Sequence, residues 1–394
     1  MKPRTIERID VFPTRLPVVK TFQFASGSAG TAGGTAPHVF VRVTDSQGET
    51  GWGEGRPHAA WSYETLESVT TTIRGYLAPA VLGLPVTDRW GLHQRLHAAI
   101  GRGPSPGQPV AKAALDMALH DLCARACGLS LRSYLGGSDA RSDVALSYTV
   151  TAHEAEAARD EVREARRMGY RHFNFKAAVA PATDIAVARG VRDAAGADAF
   201  VWADANQGFR LPDARRVVGA FADVGVDVLE QPLAADRLHL LRQLRQGCSL
   251  PLAVDEASVG PADFFAYAAE GLVDYLVVKL TRSGGIWPTL QQMATAEAAG
   301  LPLLVSGLTD SLLTKVAACQ VALVYGFEGP AALNGSQFVD ESAPFPDKAR
   351  IEFDGAVHLG SEPGIGVVPD AAGLAELSVS VEEPSARGLQ ATRA

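Results

Sequence analysis

The chain has 394 residues, 47% of them hydrophobic, and its 36 Lys and Arg against 44 Asp and Glu give a formal net charge of −8. That is apolar material enough for a barrel-sized core and a second, smaller domain. The negative balance, with no clustered Lys and Arg, argues against nucleic acid or an anionic membrane as a partner and leaves a small metabolite. No apolar run is long enough to span a bilayer, and MKPRTIERID lacks the apolar stretch of a signal peptide, so a cytoplasmic protein is expected. Cys123, Cys127, Cys248 and Cys319 are scattered and read as ordinary thiols.

In chain order, Ile6 to Arg15 and His38 to Thr44 alternate or are β-branched, and the turn Ser46-Gln47-Gly48 leads into Thr50 to Gly53. An antiparallel sheet is expected there. Thr21 to Pro37 is rich in Gly, Ser, Ala and Thr, cannot build a packed core and reads as a mobile loop. Trp61 and Tyr63 follow GWGEG in a polar and aromatic segment, where they either pack under the next helix or contact a ligand. Helical patterns cover 64–82 and 87–100, and the breaker-rich GRGPSPGQP connects them to a long helix opened by Pro109 and stopped by Gly128. His120 and Asp121 within that helix read as surface or capping partners.

From Val144 onward strand and helix patterns alternate strictly, ending with LPLLVS, helix 311–325 and AALNGSQFV. Eight strands in one alternating run predict an α/β fold with a closed parallel barrel rather than an open doubly wound sheet. After Val339 short strands and turns follow, and this tail is expected to return to the N-terminal sheet. The expected division is a capping segment 1–128, a barrel 129–340 and a tail 341–394.

Five of the barrel runs, HFNFK, FVWAD, VDVLE, PLAVD and DYLVVK, end in Lys176, Asp204, Glu230, Asp255 and Lys279, at intervals of 28, 26, 25 and 24 residues. A strand, helix and loops take about 30 residues, so this interval brings five chemically active side chains to one barrel mouth. Alternation along each strand turns Asp204, Glu230 and Asp255 inward together. Three uncompensated carboxylates would repel, and an oxygen-preferring divalent ion, Mg²⁺, resolves this, whereas zinc would ask for His or Cys. The alternative for any single acid is an ordinary ion pair. Asp255 rather than Glu256 is taken as a ligand because it ends the apolar run, with Asn206 and Glu256 just outside, Glu256 contacting Lys279. Lys176 and Lys279 flank the acids and are expected on opposite sides of the cation, where they act as acid and base or, alternatively, only neutralise the acids.

These residues resemble the muconate lactonizing enzyme subgroup of the enolase superfamily. GWGE, WSYET, ALDMALHDL with LGG, FNFK, DANQGF, LEQPL, AVDEAS, VVKLTRSGG and PGIGV carry the resemblance over nearly the whole chain. It implies a (β/α)7β-type TIM barrel capped by an α+β domain built from the N-terminal segment and the C-terminal tail. It also implies Asp204, Glu230 and Asp255 as metal ligands and Lys176 and Lys279 as acid/base lysines, in Mg²⁺-dependent enediolate chemistry of a kind already described for this superfamily. One position departs: the family's Lys-x-Lys is here Asn174-Phe175-Lys176, so Asn174 faces the site without charge and Lys176 is expected to hold its proton more firmly.

The expected function is racemisation or epimerisation of an amino acid derivative through removal of the α-proton of a carboxylate. The alternatives are β-elimination or cycloisomerisation of a related carboxylate, and a barrel that only binds. The resembling dipeptide epimerases carry Asp-x-Asp on the eighth strand, which Ala332-Leu333-Asn334 does not supply, so a dipeptide is disfavoured. Asp310, Asn334, Trp61 and Tyr63 are the expected substrate contacts, with Asp310 either facing a substrate ammonium or capping the helix from Ser311. Arg56 keeps a diacid open, and a homo-oligomer is the expected state.

Overall fold

The computed structural model describes residues 4–381 apart from 26 and 104. Alternating β-branched residues build the long strands β1 (Ile6–Pro17) and β4 (Thr35–Asp45), which pair antiparallel and are joined by β5 (Thr50–Gly55) in the order β1-β4-β5. Between β1 and β4 the stretch read as a mobile loop instead forms a hairpin, β2 (Phe22–Phe24) and β3 (Gly27–Gly30). Its small residues let it fold tightly, and Phe22 and Phe24 bury themselves against Trp61, Leu308 and Phe338. Two aromatic side chains supply the core that the composition of the stretch conceals.

The helix Pro109–Ala126 is buried on every side from Val110 to Ala124, because the β4–β5 face covers one flank and the barrel helices around residues 280–299 cover the other. Its alanines permit that closeness, and so do Gly51 and Gly53. A Cβ on Gly53 would lie 2.1 Å from the Ala114 carbonyl oxygen, and one on Gly51 2.3 Å from that of Ala118. Gly53→Ala is therefore expected to lower stability by about 1–3 kcal/mol through overpacking, read as a lower urea midpoint at unchanged slope. His120 and Asp121 are buried rather than at the surface. Asp121 accepts the backbone N–H groups of Trp52 and Ile365, tying β5, helix and tail together.

The first strand of the alternating run, from Val144, divides between β6 (Asp143–Ala145) and β7 (Ser147–Val150). From β7 the parallel strands run in sequence order through β8 (His172–Lys176), β9 (Val201–Asp204), β10 (Val228–Glu230), β11 (Leu252–Val254), β12 (Tyr275–Val278) and β13 (Leu303–Val305). Residues 331–332 close the ring, bridging Leu146 on one side and Ser306 on the other. The eighth strand is this short because residues 335–338 turn into helix, and Gly335 sits so close to the Asp310 carbonyl that a Cβ there would lie 1.8 Å from its oxygen.

Inward-facing Trp202, Val228, Ala253, Val277, Leu304 and Ala332 fill the barrel as one apolar layer. Two residues further along β9 and β10, and just beyond β11 and β12, the same alternation turns Asp204, Glu230, Asp255 and Lys279 to the mouth. The tail first pairs β14 (Glu352–Phe353) with β15 (Ala356–His358) and β15 with β6, then reaches the N-terminal sheet through the Thr14–Ser378 bridge. No helix among the described residues is long and apolar enough to cross a membrane.

Candidate active site

At the mouth, Lys176, Asp204 and Glu230 stand at one level, since Lys176 pairs with Asp204 and Asp204 with Glu230 in the parallel register. The five strand-end residues are all buried. Lys176 Nζ donates to Asp204 Oδ2 at 2.6 Å, and Lys279 Nζ to Asp255 Oδ2 at 2.6 Å. The three carboxylates therefore form a row with a lysine on each outer member, and Glu230 is in the middle. Its Oε2 accepts the Trp202 indole N–H, while Oε1 is buried and has no partner among the described residues. Asn206 and Gln231, the second residue after Asp204 and the first after Glu230, hold positive φ of 39° and 38°, a local strain of the kind found where a site fixes its backbone.

Among the described residues no three His, Cys, Asp or Glu side chains gather tightly round one point, because the outer carboxylates are turned onto their lysines. The donor set nevertheless fits a hard divalent ion. It is all oxygen, and Glu230 Oε1, Glu256 Oε2 and Asn206 Oδ1 are buried and unpartnered. Glu256 reaches Asn206 Nδ2 at 3.1 Å, and Lys279 goes to Asp255 instead of to Glu256.

The electrostatics follow from this row. Burial, with Asp204 and Asp255 on either side, pushes the Glu230 carboxyl well above its ordinary range. Burial and Asp255 raise Glu256 to about 7. Burial acts on Asp255 in the same sense, but Arg282 and Lys279 together outweigh it and hold Asp255 at about 2. For Lys176 burial favours loss of the proton, yet Asp204 and Glu230 outweigh it and raise the ammonium above its usual value.

Arg282, which the sequence reading passed over, is buried and hydrogen-bonded to Asp255 Oδ1. Its place three residues after Lys279, one turn along a short helix, was the available signal. Phe22 and Trp61 were also undervalued as partners of the lysines. Lys176 Nζ lies 5.1 Å from the Phe22 ring centre and Lys279 Nζ 5.0 Å from that of Trp61, so the cap sets an aromatic face on each lysine.

The expected substrate contacts fare differently. Trp61 is buried, whereas Tyr63 is 70% exposed at the rim of a 340 Å³ cavity that Trp61, Glu256 and Arg282 also line. Asp310 is buried, and its oxygens each accept one bond, from Thr281 Oγ1 at 2.9 Å and from Leu308 N at 2.7 Å, so it is tied into the barrel rather than standing as a free charge. Nor does it cap the following helix: Glu54 of GWGE does that, accepting the Ser311 N–H and the Ser311 and Thr314 hydroxyls. The Arg56 guanidinium is spent on the carbonyls of Ala29, Pro37 and Pro57. Asn334 lies at the mouth end of the short eighth strand, where its Nδ2 donates to Thr149 Oγ1 at 2.7 Å. Thr149 in turn meets Asn174.

Comparison with known proteins finds relatives over nearly the whole chain. Residues 9–136 match the family described as mandelate racemase / muconate lactonizing enzyme, N-terminal domain, and residues 157–373 match the enolase C-terminal domain-like family. The chain is 32% identical over 374 residues to a chloromuconate cycloisomerase of Delftia acidovorans, covering 91% of this chain and 94% of that one. It is 29% identical over 373 residues to the L-Ala-D/L-Glu epimerase of Bacillus subtilis, covering 92% and 96%. Among solved structures, the N-succinyl Arg/Lys racemase of Bacillus cereus superposes with a TM-score of 0.87 at 24% identity, over 95% of this chain and 98% of that one.

Proposed function

The chain belongs to the mandelate racemase/muconate lactonizing enzyme group of the enolase superfamily and is an enzyme of that superfamily, and on that premise we propose that it removes the α-proton of a small carboxylate. Asp204, Glu230 and Asp255 would hold Mg²⁺, and Lys176 and Lys279 would move the proton on the two faces of the α-carbon. The observation that carries this reading is the placement of two buried lysines at opposite ends of a three-carboxylate row whose central oxygen has no partner. When bound, Mg²⁺ supplies the positive charge that lets a carboxylate accept the electrons of the broken C–H bond.

The remaining steps belong to the chain. With Asp204 and Asp255 holding the cation, Lys176 and Lys279, now bonded to those two carboxylates, would be the groups left to face the substrate. One lysine takes the α-proton and the other returns one from the opposite side, a task that requires the pair to hold one proton between them. Phe22 and Trp61 cover the lysines and keep bulk water from them, so the proton is not lost before it is returned.

The finer reading is racemisation or epimerisation of an amino acid derivative, free or N-substituted. Support comes from the printed activities of the relatives, which include epimerases and racemases of amino acid derivatives. It comes also from the site's neutral wall of Ser147, Thr149, Asn174 and Asn334, suited to amide and hydroxyl contacts. Cycloisomerisation is the second reading, favoured by the identity to chloromuconate cycloisomerases. Against it, Arg56 is fully buried with its guanidinium on backbone carbonyls, which leaves a second substrate carboxylate to Arg282, already paired with Asp255 though its Nη2 has no partner among the described residues. The test is incubation with Mg²⁺ in heavy water of free amino acids, N-acylamino acids, dipeptides and muconate. Deuterium at the α-carbon of both enantiomers is the expected result. New alkene or lactone signals would turn the reading to elimination or cycloisomerisation, and no reaction with any of them would overturn it.

A further inference from the structure

One wall of the site carries no charge, and its hydrogen bonds have a direction. Asn174 faces the barrel interior two residues before Lys176, in register with Thr149 on one side and Trp202 on the other. Its Oδ1 accepts the hydroxyls of both Ser147, at 3.2 Å, and Thr149, at 3.1 Å. Thr149 Oγ1 has one proton to give. It accepts from Asn334 Nδ2 at 2.7 Å, and Asn174 Oδ1 is the acceptor that its proton meets. An amide oxygen with two hydroxyl donors has no lone pair left, and turning the amide over would leave both hydroxyl protons without this acceptor. Nδ2 is thereby the end presented away from β7. A second unspent atom marks the same wall: Asn334 Oδ1 is buried and unpartnered among the described residues, on a side chain that is itself buried.

We propose that Asn174 is a catalytic hydrogen-bond donor, its Nδ2 N–H aimed at an oxygen of the substrate carboxylate, with Ser147, Thr149 and Asn334 as the positioning residues that fix its orientation. The inference rests on the α-proton reading above. As the α-carbon gives up its proton, charge accumulates on the carboxylate oxygens, and a donor already aimed there binds the transition state more strongly than the ground state. A neutral donor does this without adding a further cation to Lys176, Lys279 and Arg282. In place of the lysine that the resemblance leads one to expect, this chain uses an amide held by a hydroxyl relay.

The experiment measures α-proton exchange with the substrate found by the heavy-water screen, in wild type, Asn174→Asp, Thr149→Val and Thr149→Ser, alongside Mg²⁺ affinity. Asn174→Asp keeps the shape and both accepted hydroxyl bonds but loses the donor. Thr149→Val removes the hydroxyl that orients the amide, and Thr149→Ser restores it. The expectation is a fall in kcat of about 100-fold for Asn174→Asp, a smaller fall for Thr149→Val and recovery in Thr149→Ser, with KM and Mg²⁺ affinity little changed in the two uncharged Thr149 variants. In wild type and Thr149→Ser the Asn174 side-chain amide proton signal should also shift on adding substrate, and in Thr149→Val that shift should shrink. If Thr149→Ser falls as far as Thr149→Val, or Asn174→Asp keeps wild-type kcat, the donor role is wrong while the α-proton reading stands. Wild type without exchange on any carboxylate would overturn both.

Discussion

Glu230→Gln should abolish Mg²⁺-dependent turnover and, in metal-free protein at pH 8, raise the melting temperature. Both effects come from one carboxylate buried in the middle of the row. Its Oε2 accepts from Trp202, which a glutamine oxygen can still do, and its Oε1 has no partner, so the substitution removes charge with little change of shape. Burial and the neighbours Asp204 and Asp255 push its folded-state pKa well above the unfolded value. For an acid shifted upward, ionisation costs folding stability, fully above the folded pKa and not at all below the unfolded one. Metal-free wild type should therefore gain on the variant as the pH falls through that window. Adding Mg²⁺ should reverse the order at pH 8, because a ligand at 100 times its Kd stabilises only the form that binds it, by about 2.7 kcal/mol. A variant that bound Mg²⁺ as wild type does would remove Glu230 from the site, and equal metal-free melting temperatures at pH 8 would show that its charge is not the frustrated one.

The residues at the heart of this account were legible in the sequence because two periodicities coincide. The near-constant interval from Lys176 to Lys279 follows from strand, helix and loop lengths, and alternation within each strand decides which side chain turns inward. Where function depends on contacts between segments that no periodicity links, the sequence was silent. Asp310 looked like a free charge at the mouth, but its two oxygens each accept a bond, from Thr281 in the preceding strand–helix connection and from the Leu308 N–H. Arg56 looked available for a second carboxylate, and its guanidinium holds the carbonyls of Ala29, Pro37 and Pro57. The hairpin from Phe22 to Gly30 was hidden by its composition, since two aromatic side chains among small residues do not register as a core until Trp61 and Phe338 are beside them. Arg282 was concealed by its neighbour: Lys279 ends the strand and draws attention, and the helical turn that brings Arg282 back onto Asp255 begins one residue later.

The two lysines carry the second large expected effect. They sit 103 positions apart in the chain (279 − 176) and on different carboxylates, so each has its own approach to the α-carbon. Loss of a general acid or base costs about 10²–10⁴ in rate, and it should fall on one direction of proton transfer only. If each lysine serves one face, Lys176→Ala and Lys279→Ala both lose racemisation, since that needs both faces, but each should keep exchange for the enantiomer whose proton faces the lysine that remains. Melting temperature and Mg²⁺ affinity serve as controls, because each substitution also removes the partner of a buried carboxylate.

The most direct measurement is α-deuterium incorporation into each enantiomer separately, in heavy water with saturating Mg²⁺, for wild type and the two alanine variants. Wild type should label both enantiomers and interconvert them, Lys176→Ala should label one without interconversion, and Lys279→Ala should label the other. If both variants lose exchange of both enantiomers equally, or if either still interconverts them at the wild-type rate, the two lysines do not divide the faces between them and the account fails.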